Sequence, residues 1–215
     1  MKFNTDIFSI LINIQLLACL LLMIIKRKKL GTNINYMIVA TLFSFLSNFL
    51  GKILIEFKWM KTNHFVFNIG VLLITFFFYL YYFYRQTVRM KLKRIQFSIL
   101  IIFLIIYITF FFIDKDFIMV FPIKFYFIET ILLLISISVF LTQTFKSEIV
   151  LNINHYFPFW LCLGLLILYC GLMPILIIGT NPKLGMNIHL FTTIMFFINF
   201  IGYGVIIRGI FLSKT

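Results

Sequence analysis

The chain has 215 residues, of which 63% are apolar and 12% charged, and its 19 Lys and Arg against 6 Asp and Glu give a net charge of +13. A soluble domain holds about 45–50% apolar and about 25% charged residues. A water-soluble core is therefore excluded, as are disorder, collagen, a coiled coil and a disulfide-stapled secreted domain. What remains is an all-α polytopic membrane protein, consistent with a mean hydropathy of +1.11.

A hydrocarbon core about 30 Å thick takes about 20 apolar residues at about 1.5 Å each. Seven segments reach that length: 7–25, 36–57, 65–84, 95–113, 117–142, 157–178 and 188–212. The first ends in Lys26-Arg27-Lys28-Lys29 and lacks a small-residue cleavage site, so a retained helix is expected rather than a signal peptide. The later breaks fall at Lys58 to His64, Arg85 to Arg94, Asp114-Lys115-Asp116, Gln143 to His155 and Asn181-Pro182-Lys183. Only three charges mark the boundary between the fourth and fifth spans. The loops are short, and a single seven-helix transmembrane domain over residues 1–215 is expected.

Lys and Arg are distributed unevenly between the two sides. One side carries twelve: Lys26 to Lys29, Arg85, Arg89, Lys91, Lys93, Arg94, Lys146, Arg208 and Lys214. The other carries five: Lys2, Lys58, Lys61, Lys115 and Lys183. The richer side is expected to be cytoplasmic, which puts the N-terminus outside and the C-terminus inside. This distribution accounts for the basic excess without nucleic acid. Cys19, Cys162 and Cys170 all lie in apolar stretches and read as small core residues.

An ionisable group inside a span costs about 2.5–3.5 kcal/mol at the centre on insertion scales and normally faces the bundle interior. Span two carries Ser44, Asn48, Lys52 and Glu56 at steps of four, one slowly turning stripe on a helix. Span five carries Lys124 and Glu129 just after Pro122. Measured from Phe117, Glu129 lies about 18 Å deep. Asn68 in span three and Asn199 in span seven join these, with packing the heavier reading for both asparagines. Together they suggest an outward-opening polar cavity lined by spans two, three, five and seven. Glu129 would lie near its floor, paired with Lys52 or Lys124. The plainer readings are a snorkelling Lys124 and an ordinary four-apart Lys52–Glu56 helix pair.

Spans six and seven carry Gly164 and Gly171, and Gly202 and Gly209, each pair seven residues apart. Small faces at that spacing let two helices approach closely. Pro174 is expected to kink span six.

No HExxH, phosphate loop, GxSxG or metal-spaced Cys/His cluster occurs, so neither an enzyme nor a cofactor is expected. The run Pro158-Phe159-Trp160, Gly164, Tyr169 and Pro174, with the stretch from Asn199 to Arg208, resembles small seven-helix bacterial membrane proteins. Those proteins look like detached input modules of sensor histidine kinases. The resemblance covers mainly the last sixty residues. It implies a receptor-like module in the bacterial inner membrane that passes a signal to a separate cytoplasmic protein, and it assigns no site residues. The leading expectation is therefore a sensor whose partner is a cytoplasmic protein or a second copy. The alternatives are a small-solute or ion transporter using Glu129 with Lys52 or Lys124, and an oligomerising effector or scaffold.

Overall fold

The computed structural model describes residues 2–59, 62–180 and 188–213. The break at Asn181-Pro182-Lys183, and Lys61 and Lys214 of the charge count, lie outside the described residues. Seven long helices occur among the described residues. They are α1 (Lys2–Ile25), α2 (Ile34–Glu56), α3 (His64–Gln86), α4 (Met90–Ile113), α5 (Ile123–Phe145), α6 (Phe157–Thr180) and α7 (Ile188–Leu212). A helical turn, Arg27–Leu30, and a 3-10 segment, Glu148–His155, stand in two of the connections. All seven helices are long and apolar enough to cross a membrane. Helices suit that solvent because they satisfy every backbone group internally. Large apolar side chains such as Ile14, Ile105 and Phe197 remain exposed on them, as lipid-facing surfaces require.

Two helix starts that differ from the sequence expectation bear on the site. α4 begins at Met90 rather than 95, because Lys91, Lys93 and Arg94 extend its first turns into the charged region. α5 begins at Ile123 rather than 117. Pro122 (φ −85°, ψ 78°) precedes the helix and supplies no N–H, while Phe117, Met119 and Val120 donate their N–H groups to the carbonyls of Asp114 and Asp116. The apolar run 117–121 is thus a folded loop. Within residues 31–151, the end carrying this loop is the far end and the end carrying Arg85 to Arg94 the basic end.

The chain divides into two compact units, residues 1–30 with 152–215, and residues 31–151.

In the first unit α6 and α7 are antiparallel and close-packed. A Cβ on Gly202 would sit 2.5 Å from Leu168 Cγ and 3.2 Å from the Gly164 carbonyl. One on Gly164 would sit 2.8 Å from the Gly202 carbonyl, and one on Gly209 would overlap Trp160. A Cβ on Gly171 would sit 2.9 Å from Ile198 Cγ2. Only glycine permits this approach. Helix α6 continues through Pro174, whose missing N–H leaves the Cys170 carbonyl without its usual donor. Helix α1 runs parallel to α7: Phe8 stacks on Phe196 at 4.6 Å, and Gln15 Nε2 donates to the Phe200 carbonyl at 2.8 Å. Lys26 Nζ lies 4.1 Å from the Phe211 ring centre, and the Arg208 guanidinium lies 5.2 Å from that of Trp160. Trp160 Nε1 donates to the Asn154 carbonyl at 2.9 Å. Burial pushes the Tyr156 phenol up to about 12, so it stays protonated at neutral pH.

In the second unit α2 packs antiparallel on α3, and α4 on α5. The α2–α3 seam is polar. Thr75 Oγ1 lies 3.2 Å from Ser44 Oγ, 3.2 Å from the Ala40 carbonyl and 2.9 Å from the Gly70 carbonyl. The last contact spans five residues because α3 is π-helical over Asn68–Thr75. Gly70 presses on Ser47 so closely that a Cβ there would overlap its hydroxyl. The α4–α5 seam has a reciprocal pair. Gln96 Nε2 donates to the Ser136 carbonyl at 2.8 Å, and Ser136 Oγ donates to Gln96 Oε1 at 2.6 Å.

Candidate functional site

The buried face of α5 runs Phe125, Tyr126, Glu129, Thr130, Leu133, Ser136, Ile137 and Phe140, recurring at three- and four-residue steps. Glu129 is 0% exposed, and neither carboxyl oxygen has a hydrogen-bond partner. Helix α5 starts at Ile123, so Glu129 lies about 9 Å along it instead of the 18 Å expected from the sequence. Its surroundings are aromatic. Tyr107 of α4 and Tyr126 are close enough to couple to it electrostatically. Phe125, one turn before it, packs on Phe103 and Phe110 at ring-centre distances of 6.2 and 5.6 Å. Phe76 of α3 meets Tyr126 edge-on at 6.4 Å.

The loop that leads into α5 closes the far end of this aromatic cluster. Phe117 is 1% exposed and sits among Tyr107, Phe110 and Phe125 at 5.3, 6.0 and 5.3 Å. Asn68 holds the backbone of that loop. Its Nδ2 donates to the carbonyls of Phe117 at 2.8 Å, Ile118 at 3.1 Å and Val120 at 3.1 Å. Two amide hydrogens thus serve three acceptors. Asn68 is itself fully buried, and its Oδ1 has no partner. It is the first residue of the π-helical stretch, a backbone form frequent at functional sites.

The other predicted residues do not converge on Glu129. In α2, Ser44 is buried and Asn48 half-buried, its Nδ2 donating to the Ser44 carbonyl at 3.0 Å. Lys52 is half-buried and Glu56 exposed in the last turn. The four-residue drift carries the stripe from the core to the surface. Lys124 is exposed and neither Glu129 oxygen has a hydrogen-bond partner, so the expected pair of Glu129 with Lys52 or Lys124 is not formed. Glu129 and Asn68 are both fully buried, so the expected open cavity reaches neither of them. Asn199 belongs to the first unit and donates to its own helix at Met195 O, 2.7 Å.

Sequence reading missed three contributors. Gln96 was hidden by its position after the Lys/Arg cluster, although Gln96, Ile99, Leu100, Phe103 and Tyr107 repeat at core spacing. Gln143 was assigned to a loop. It lies in α5, where its Oε1 accepts the N–H groups of Val88 and Arg89 at 2.8 and 3.0 Å, shaping the basic turn between α3 and α4. Phe117 was counted as membrane span. Among the described residues no group of three His, Cys, Asp or Glu could hold a metal ion. The chain matches no family model, no curated protein and no solved structure.

Proposed function

We propose that this chain is a sensor in the bacterial inner membrane, with its N-terminus outside and its C-terminus in the cytoplasm. In this reading Glu129 is the responsive group, and the basic turns pass its state to a cytoplasmic signalling protein. The observation that carries the proposal is the isolation of Glu129: a fully buried carboxyl with two unpartnered oxygens in an aromatic core. An intramembrane ionisable residue is expensive, so its retention points to use. A switch fits better than a conduit. Transport through this unit would need polar groups continuing toward the basic end. The buried pair there, Gln96 and Ser136, is bonded to itself, while Ser138 and Thr142 are exposed and bond to carbonyls of their own helix. Gln143, on Glu129's own helix, accepts the Val88 and Arg89 N–H groups, and in this reading that contact carries the change to the basic surface.

Purification in mild detergent tests the proposal. The expected result is a stoichiometric cytoplasmic signalling protein that is lost when Arg85, Arg89, Lys91, Lys93 and Arg94 are neutralised. A chain that purifies without any such protein would overturn it.

A further inference from the structure

A carboxyl with two free oxygens can take a metal ion, an organic cation or a proton. A metal ion needs roughly four to eight donors, which the described surroundings of Glu129 do not assemble. An organic ammonium could use aromatic faces. However, the rings at the far end of Glu129 are packed on one another: Phe117 meets Tyr107 and Phe125 at 5.3 Å each. A proton needs no space and no second ligand. It passes from a hydronium ion to one carboxylate oxygen: one O–H bond of the hydronium breaks, leaving water, and one O–H bond forms on the carboxyl.

We infer that Glu129 is a proton-binding site closed at the far end by an aromatic plug, Phe117, which Asn68 latches. The inference rests on reading Glu129 as the responsive group, and it names the ligand and the gate. The geometry of the gate is independent of that reading. Phe117 is almost wholly buried between the far end and the Glu129 neighbours Tyr107 and Phe125. Its carbonyl and those of Ile118 and Val120 are held by one amide nitrogen. The unpartnered Asn68 Oδ1 is a second buried acceptor at the same end of the unit, and such atoms call for a water or an ion. Charge competition for the proton is weak. The titratable groups buried on the elements packed against α5 are Tyr107 of α4 and Tyr79 and Tyr82 of α3, and on its own helix Tyr126. No Lys, Arg, His or Asp is buried on α3, α4 or α5 among the described residues, and Lys124 is exposed.

The test uses the full chain in lipid nanodiscs with dicyclohexylcarbodiimide, which attaches to protonated carboxyls in apolar surroundings, and mass spectrometry to locate the adduct. The expected result is a slow adduct on Glu129 of the wild type, formed only when Phe117 swings out, and forming faster in mildly acidic than in mildly alkaline buffer. Asn68→Ala should speed it roughly fivefold, the net worth of about one buried hydrogen bond, and Phe117→Ala should act in the same direction. The wild-type pH profile stands even if a variant fails to fold. A rate that ignores pH, or no adduct on Glu129, overturns the proton site. Equal rates in wild type and folded variants overturn the plug. A chain that purifies alone but carries the pH-dependent adduct removes the signalling reading and leaves the proton site standing. A partner-bound chain without the adduct does the reverse.

Discussion

Gly202 and Gly204 lie two residues apart on α7, and together they test the close-packed seam against its own helix. Alanine is favoured over glycine in a helix interior by about 0.5–1 kcal/mol, so both substitutions begin with the same gain. At Gly204 nothing lies within 4 Å of the added carbon, and the gain should survive. At Gly202 the carbon would stand 2.5 Å from Leu168 Cγ and 2.7 Å from its Cδ2, with the Gly164 carbonyl at 3.2 Å. Comfortable carbon contacts lie near 3.5–4.0 Å, so Leu168 or the α6 backbone must yield by about an ångström. Leu168 is 3% exposed and has little room to do so. Overpacking of this kind costs about 1–3 kcal/mol, leaving a net loss of roughly 1–2 kcal/mol at Gly202. Equilibrium unfolding in mixed micelles with increasing dodecyl sulfate would measure both variants. Gly202→Ala should unfold at lower denaturant than wild type and Gly204→Ala at the same or higher. Shifts of the two variants in the same direction would refute the seam.

Three further outcomes follow from the buried polar groups. Glu129→Leu should raise stability by about 1–3 kcal/mol in the same unfolding measurement, since it removes an unpartnered polar group at nearly constant volume; a fall would mean that the carboxyl has a stabilising partner. Gln143→Leu leaves the Val88 and Arg89 N–H groups without their acceptor, at a cost of about 1–3 kcal/mol. Hydrogen exchange at those two amides should accelerate, while Gln143→Glu, which keeps an acceptor oxygen, should restore protection; unchanged exchange in Gln143→Leu would count against this role. For the α4–α5 pair, a double-mutant cycle of Gln96→Leu and Ser136→Ala should give a coupling of about 0.6–1.7 kcal/mol, the range seen for hydrogen bonds between membrane helices. Strict additivity would show that the reciprocal bonds contribute nothing.

Span number and approximate placement were legible because hydropathy over twenty residues records a requirement of the lipid that no local contact overrides. The α6–α7 seam was legible for a similar reason: glycines seven residues apart mark one face of a helix. Failures occurred where apolar character serves two purposes. Phe117 to Phe121 has the composition of a span, yet it is a loop whose side chains fill an aromatic cluster and whose backbone bonds to Asn68. Hydropathy cannot distinguish a residue facing lipid from one plugging a core. The stripe from Ser44 to Glu56 failed through helical drift: steps of four rotate about 40° each, which over three steps carries the last member from the core to the surface. Gln96 and Gln143 depend on partners in other helices, Ser136 and the Val88–Arg89 turn, and long-range pairing leaves no local trace.

The distribution of satisfied polar groups in the second unit argues for Glu129 beyond its burial alone. Thr41, Ser47 and Thr144 bond back to carbonyls of their own helices. Ser44 meets Thr75, and Gln96 meets Ser136, across helix seams. These groups are satisfied where a bilayer offers no water. Asn68 uses its nitrogen to close a loop and leaves only its oxygen orphaned. Glu129 makes no such structural contribution: both oxygens are orphaned, and no described backbone or side chain takes its position from them. A fold selected only to pack would place leucine there, between Phe125 and Leu133 on the same face. A carboxyl whose removal should stabilise the protein has to be explained by something other than stability, and the proposed proton uptake behind a latched plug would supply that explanation.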